Sequence, residues 1–91
     1  MNNVTLVGRI TSIAEKAIVI KVSRNYKNEA GEYEVDRIPV YLDGILAEKI
    51  REYCPIDSIV GVKARITRQD HEEVKIVADK VTFLSSRKDN E

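Results

Sequence analysis

Segments in which apolar and polar residues alternate recur along this sequence, and they restrict the chain to a small all-β fold. In residues 18–22, Ile18, Ile20 and Val22 take every second position, so all three side chains lie on one face of a strand. Similar β-branched stretches recur and predict five strands, at residues 4–10, 18–22, 35–42, 58–67 and 74–84.

One segment has helical periodicity instead. Leu46, Ile50 and Tyr53 recur at helical spacing among good helix formers, which predicts that Tyr53 is a core residue. Gly44 precedes this helix and Pro55 ends it. The predicted order, β-β-β-α-β-β, is that of the OB-fold, a five-stranded Greek-key barrel, and the position of the helix favours it over other small barrels.

Glycine and proline give further local predictions. Gly8 predicts a bulge or a sharp bend in the first strand, and Pro39, which has no backbone N–H, predicts an edge position or a bulge in the third. Residues 27–32 are polar and contain a glycine, as expected of a hairpin loop. Residues 1–84 are expected to form a single OB-fold domain, and residues 85–91 a short polar tail.

The size of the chain bears on its assembly and location. A chain of 91 residues has room for one core of marginal stability, so a homo-oligomer is expected. Val7 and Val19, on the outward faces of the first two strands, suit strand-mediated association. No apolar stretch approaches the roughly 20 residues of a membrane-spanning helix, and no secretory signal is visible. We therefore expect a cytoplasmic protein with no membrane partner.

Residues that carry reaction chemistry are few. Cys54 is the only cysteine, which excludes an internal disulfide and a cysteine-based zinc site and indicates a buried, inert thiol. His71 is the only histidine, and no paired-carboxylate, triad, phosphate-loop or metal-ligand arrangement stands out. The sequence therefore predicts no enzyme activity, no metal and no cofactor.

The distribution of charge is more informative than its sum. Fifteen basic and fifteen acidic residues give a net charge of zero, which alone disfavours a nucleic-acid partner. However, residues 1–28 contain five basic residues and only one acidic residue, and residues 58–69 contain three basic residues and no acidic ones. If these two segments are neighbours in space, a neutral protein still presents a positive stripe.

Three stretches resemble bacterial single-stranded-DNA-binding proteins. NVTLVGRIT at residues 3–11 is similar to the opening strand of that family. VYLDGILAE at residues 40–48, followed by Tyr53 and residues 58–60, resembles its third strand, helix and fourth strand, and VADKVTFL at residues 77–84 resembles its closing strand. The resemblance implies an OB-fold, single-stranded-DNA binding and assembly as a dimer or tetramer.

The chain departs from that family in its aromatic residues. The family stacks bases on tryptophans and a phenylalanine, whereas this chain has no tryptophan and only Phe83. By the resemblance, Tyr26 lies where the first stacking tryptophan falls, and Arg37, Asp43 and His71 occupy other aromatic positions. The acidic tail that recruits partner enzymes is not seen, so the chain is also similar to the primosomal replication protein with this fold and to accessory forms on phages or mobile elements. Replication or mobile-element proteins are therefore candidate partners.

Binding a single strand requires a positive groove for phosphates and flat side chains for bases. Strand alternation points one set of polar residues outward, and a second set flanks the two hairpin loops. Tyr26 is the best stacking candidate, whereas Tyr41 could equally cover the core or a subunit interface. The predicted ligand is single-stranded DNA, with RNA as an alternative, and the predicted binding residues are Arg9, Lys21, Arg24, Tyr26, Lys27, Tyr33, Arg37, Tyr41, Lys63, Arg65, Arg68 and His71.

The main alternative is an OB-fold protein-interaction module with weak or no affinity for DNA. The missing tryptophans and the zero net charge both favour it. Salt-sensitive DNA binding would count against it, because phosphate contacts release counterions.

Overall fold

Five strands and one helix follow one another in the order that the alternation predicts. The computed structural model describes residues 2–85. The elements are β1 (Val4–Ile13), β2 (Ala17–Lys27), β3 (Tyr33–Tyr41), α1 (Gly44–Tyr53), β4 (Ile59–Thr67) and β5 (Lys75–Ser85). The last strand continues one residue beyond the expected domain boundary, and residues 86–91 of the expected tail lie outside the described residues.

The strands close into a barrel in the order β1-β2-β3-β5-β4. All neighbours are antiparallel except β3 and β5, which run parallel and meet at Tyr41 and Val77. At Pro39, β3 pairs with β2 alone within residues 2–85, so the predicted edge position is confirmed. A proline fits there because the free edge needs no N–H donor.

The strand β1 is shared between two neighbours, and Gly8 lies next to the point where it changes partner. Residues 4–9 pair with β4, whereas β2 pairs with β1 from Arg9 onward. A Cβ atom at Gly8 would lie 2.4 Å from the carbonyl oxygen of Lys21 and 2.6 Å from a methyl carbon of Ile20. The expected bulge lies further along, between Ile10 and Ser12. Gly8 is therefore needed for the close approach of β2, which no side chain would permit.

The core fills the barrel with residues from every strand and is closed at one end by α1. Asp43 caps the helix, because its Oδ1 accepts a hydrogen bond of 2.8 Å from the N–H of Leu46. The alternation in β2, β3 and most of β4 is confirmed by burial. The buried apolar residues are Ile10, Ile18, Ile20, Val40, Leu42, Ala47, Ile50, Cys54, Val60, Val62, Ala64 and Ala78.

The prediction that Tyr53 is a core residue is wrong. Tyr53, the last residue of α1, is 65% exposed, and the helix buries Ala47 and Ile50 instead. Ile66, near the end of β4, is 44% exposed, and its backbone N–H donates a hydrogen bond of 2.9 Å to Asn2 Oδ1. Within residues 2–85 no helix has the length and hydropathy needed to cross a membrane.

Candidate nucleic-acid interface

Three cations form a row across the outer face of three neighbouring strands. Arg9 on β1 lies opposite Lys21 on β2, and Lys21 lies opposite Arg37 on β3. Side chains directly opposite each other in a sheet have Cβ atoms about 4.5–5.5 Å apart, so the three charges are neighbours. We call these residues the cationic row. Their outward position agrees with the predicted alternation.

The cationic row borders an open groove. Arg9 is partly buried, and its Nη1 donates a hydrogen bond of 2.9 Å to the carbonyl oxygen of Asp57, which orients the guanidinium. Lys21 and Arg37 are exposed. The groove has a volume of about 350 Å³, and its lining residues are Val7, Gly8, Arg9, Lys21, Ser23 and Ile59. Its glycine and short side chains leave space above the backbone, and its cations favour an anionic ligand.

Beyond the cationic row, β2 and β3 pair only with each other among the described residues, and we call residues 23–36 the β2–β3 arm. Its loop is ordered by Asn28, whose Oδ1 accepts hydrogen bonds of 2.9 Å from Ala30 N–H and 3.0 Å from Glu32 N–H. Gly31 has a φ of 79°, which favours glycine. The predicted hairpin loop is thus confirmed, with a defined conformation.

The β2–β3 arm carries two exposed tyrosines. Tyr26 is 60% exposed and Tyr33 is 58% exposed. Lys27 and Tyr33 form the last cross-strand pair, and the Lys27 Nζ lies 5.7 Å from the centroid of the Tyr33 ring. Such a contact is a weak cation–π interaction at an exposed site. The arm therefore carries two exposed aromatic rings and one ammonium group beyond the cationic row, along the same two strands.

Arg24 is engaged with carboxylates of the arm. Its Nε donates to Asp36 Oδ2 at 3.2 Å, and its Nη2 donates to Asp36 Oδ1 at 3.0 Å. Its Nη1 lies 3.7 Å from Glu34 Oε2. The hydrogen bonds to Asp36 raise the pKa of Arg24, and they hold the pKa of Asp36 below its ordinary value. Arg24 was predicted to contact nucleic acid, but the structure gives its guanidinium two acidic partners already.

A second pair of cations lies on β4 and β5. Lys63 faces Lys80 directly across the two strands, and Thr5 of β1 lies on the other side of Lys63. The sequence analysis did not include Lys80 among the binding residues. In a regular strand Lys80 would share the face of Ala78, which is buried, and would therefore point inward. A register shift at Asp79 places two exposed residues in succession and turns Lys80 to the surface.

The remaining predicted residues lie in two further places. Arg65 forms an ion pair with Asp79, and Arg68 Nε donates a hydrogen bond of 2.9 Å to the carbonyl oxygen of Glu72 within the β4–β5 turn. His71 is exposed in that turn. Tyr41 lies where β3 meets β5, and the Lys75 Nζ stands 5.1 Å from its ring centroid. The predicted set is thus spread over five places: the cationic row, the arm, the β4–β5 pair, the β4–β5 turn and the point where β3 meets β5.

The fold and this surface define a small OB-fold domain with a cationic outer face. No protein-family model matches the chain. It is 31% identical over 104 residues to single-stranded DNA-binding protein B of Bacillus subtilis, covering 94% of this chain and 92% of that protein. The chain belongs to the single-stranded DNA-binding protein family, as the resemblance predicts.

Two further comparisons agree with this assignment. The single-stranded DNA-binding protein of Streptococcus mutans is 30% identical over 105 residues, and the chain spans 64% of its length. The wild-type single-stranded DNA-binding protein from Thermus aquaticus superposes with a TM-score of 0.75 at 19% identity, covering 97% of this chain and 52% of that one. This likeness supports the fold, and the predicted OB-fold is confirmed.

Proposed function

We propose that this chain binds single-stranded DNA without sequence readout, over the outer face of β1, β2 and β3 and the β2–β3 arm. The observation that carries the proposal is the cross-strand register of Arg9, Lys21 and Arg37, which aligns three cations in one row. Family membership supports the same ligand.

Phosphates are the natural ligands of the cationic row. Like charges directly opposite each other in a sheet repel, and a bound polyanion removes that repulsion. Three phosphate contacts at the cationic row contribute about −2 to the slope of log affinity against log salt, and a further contact at Lys63 or Lys80, on the adjoining face of β4 and β5, adds about −0.7. Because the chain as a whole is neutral, attraction depends on this local row and not on net charge.

Bases are the natural ligands of the arm. Tyr26 and Tyr33 keep more than half of their surfaces in solvent, so their rings have apolar faces to cover. Stacking a base on an aromatic ring contributes about 1–3 kcal/mol and is tolerant of sequence, because every base has a π-face. Tyr26, which by the resemblance lies at a tryptophan position of the family, gives a smaller platform than a tryptophan, so we expect a moderate affinity.

The proposal also covers the oligomeric state of the protein and its place in the cell. Val7 is 55% exposed on the outer face of β1 and lies opposite Gly61, and Leu84 packs beside Gly61. This apolar patch supports self-association as a dimer or tetramer. We place the protein in the cytoplasm, where it protects or organises single strands in replication, recombination or repair, and RNA is a second candidate ligand.

A protein-interaction role is the second candidate, and a separate groove favours it. This groove, of about 170 Å³, lies between α1 and β5, and its lining residues are Leu46, Lys49, Ile50, Tyr53, Cys54, Val81 and Phe83. Its exposed Tyr53 and Phe83 offer apolar surface to a partner protein.

The test is a fluorescence-polarisation titration of labelled oligo-dT, about 35 nucleotides long, at low and moderate salt. We expect binding to the single strand in preference to duplex, weakened by salt and by Tyr26→Ala. Tyr53→Ala is the matched control, because Tyr53 is equally exposed but lies on the helix. Absence of binding at low salt, or equal losses in the two variants, would contradict the proposal.

A further inference from the structure

Arg24 and Asp36 join the two strands of the β2–β3 arm with a two-pronged hydrogen bond. The pair Nε–Oδ2 measures 3.2 Å and the pair Nη2–Oδ1 measures 3.0 Å, so one guanidinium edge faces both carboxylate oxygens. This bidentate geometry adds orientation to attraction. Glu34, further along the same strand, approaches Nη1 to 3.7 Å without a hydrogen bond.

This contact lies where the arm loses its backbone register. Ser23 pairs with Val35, but the next pair is Lys27 with Tyr33. Four steps along β2 therefore match two steps along β3, and the extra residues of β2 include Tyr26. Backbone pairing leaves residues 24–26 without cross-strand partners among the described residues, so the side-chain contact between Arg24 and Asp36 is an additional link across the arm at this point.

Arg24 also lies on the wrong face for a phosphate ligand of the cationic row. It follows Val22 by two residues and shares its face, whereas Lys21 lies on the other face of the strand. One guanidinium beside two carboxylates leaves this face with a net negative charge. A phosphate there would have to displace a hydrogen-bonded carboxylate.

We propose that Arg24 is a positioning residue, which fixes the β2–β3 arm through Asp36 and so sets the geometry of Tyr26 and Tyr33 before DNA binds. The inference rests on the proposed function. Its physical basis is preorganisation: an arm that is already ordered loses less conformational entropy when a strand binds. Arg24, Asp36 and the register gap act together on the tyrosines, and no phosphate contact is involved.

Two matched substitutions separate this role from a charge effect. Asp36→Asn and Glu34→Gln each remove one negative charge from the same face of the arm, but only Asp36→Asn weakens the two-pronged bond. Positioning predicts that Asp36→Asn weakens oligo-dT binding about three- to tenfold while the salt slope stays at the wild-type value. Glu34→Gln is expected to bind as tightly as wild type or more tightly. Tighter binding by both variants overturns the proposal.

Two further measurements test the same role. Arg24→Lys keeps the charge but loses the planar fork, so it is expected to weaken binding as Asp36→Asn does. Unchanged binding by Arg24→Lys would overturn the proposal. In a double-mutant cycle, the effect of Asp36→Asn should shrink when Tyr26 is replaced by alanine, because the loss acts through that ring. Full additivity of the two losses would contradict a positioning role.

The wild-type titration keeps this result separate from the proposed function. If wild type does not bind oligo-dT, the proposed function fails before any variant is compared. If wild type binds and both Asp36→Asn and Glu34→Gln bind more tightly than wild type, only the positioning role fails. Circular dichroism of each variant checks that the barrel is intact. We expect an intact barrel, because within residues 2–85 the two strands of the arm pair only with each other.

Discussion

Lys63 and Lys80 face each other directly across β4 and β5. Both are exposed, and they border an open groove of about 390 Å³ together with Thr5, Gly61, Val62 and Thr82. Like charges in this position destabilise a sheet, so the pair lowers stability unless an anion lies between the two ammonium groups. Thr5 connects this groove, along the outer face of β1, with Arg9 of the cationic row.

We predict that Lys80→Gln separates stability from binding. The variant should be more stable than wild type by about 0.5 kcal/mol, because the cross-strand repulsion is removed. It should bind oligo-dT more weakly and with a shallower salt slope, because one phosphate contact is lost. Lys49→Gln on α1 is the control, since it removes the same charge from an exposed helix residue that has no cross-strand partner. Equal effects of the two substitutions would contradict the prediction.

Gly8→Ala should destabilise the barrel by about 1–3 kcal/mol, the usual cost of forcing extra atoms into a packed site. The added methyl would meet the Lys21 carbonyl, and backbone cannot move aside as a flexible side chain does. Gly44→Ala is the control, because within residues 2–85 nothing lies within 4 Å of a Cβ placed there, and alanine has a higher helix propensity than glycine. Urea denaturation of both variants measures the difference, and equal midpoints would refute the account of Gly8.

Acid should release the contact between Arg24 and Asp36. The pKa of Asp36 is depressed mainly by the hydrogen bonds from Arg24, so its contribution to stability is present above its ordinary pKa and is lost as pH falls through the lower, folded-state value. Wild type is therefore expected to lose more stability than Asp36→Asn between neutral pH and about pH 2. Thermal denaturation over this range measures it, and parallel pH profiles would show that the carboxylate is not stabilised.

The Cys54 thiol should be inert in the folded protein. Its side chain is buried, and desolvation raises the pKa of the thiol, so little reactive thiolate forms at mildly alkaline pH. Reaction with a chromogenic disulfide reagent is expected to be slow for the folded protein and fast in guanidinium chloride. A fast reaction without denaturant would mean that the end of the helix opens readily.

Local pattern predicted the elements well and failed where the chain departs from regular geometry. Alternation located all five strands, and helical spacing located α1 within one residue. Tyr53 was assigned to the core because spacing shows which side of a helix is apolar, but not where the barrel ends. Lys80 was missed because a register shift next to Asp79 changes the side to which the following residue points.

The sequence by itself determined the strands, the helix, and the presence of cations and tyrosines at outward positions, because these depend on periodicities of two and 3.6 residues within each segment. Tertiary structure decided which charges meet. The register of β1 on β2 and of β2 on β3 placed Arg9, Lys21 and Arg37 in one cross-strand row, and pairing of β2 with β3 brought Arg24 against Asp36. These outcomes depend on register between distant segments, which no local pattern encodes.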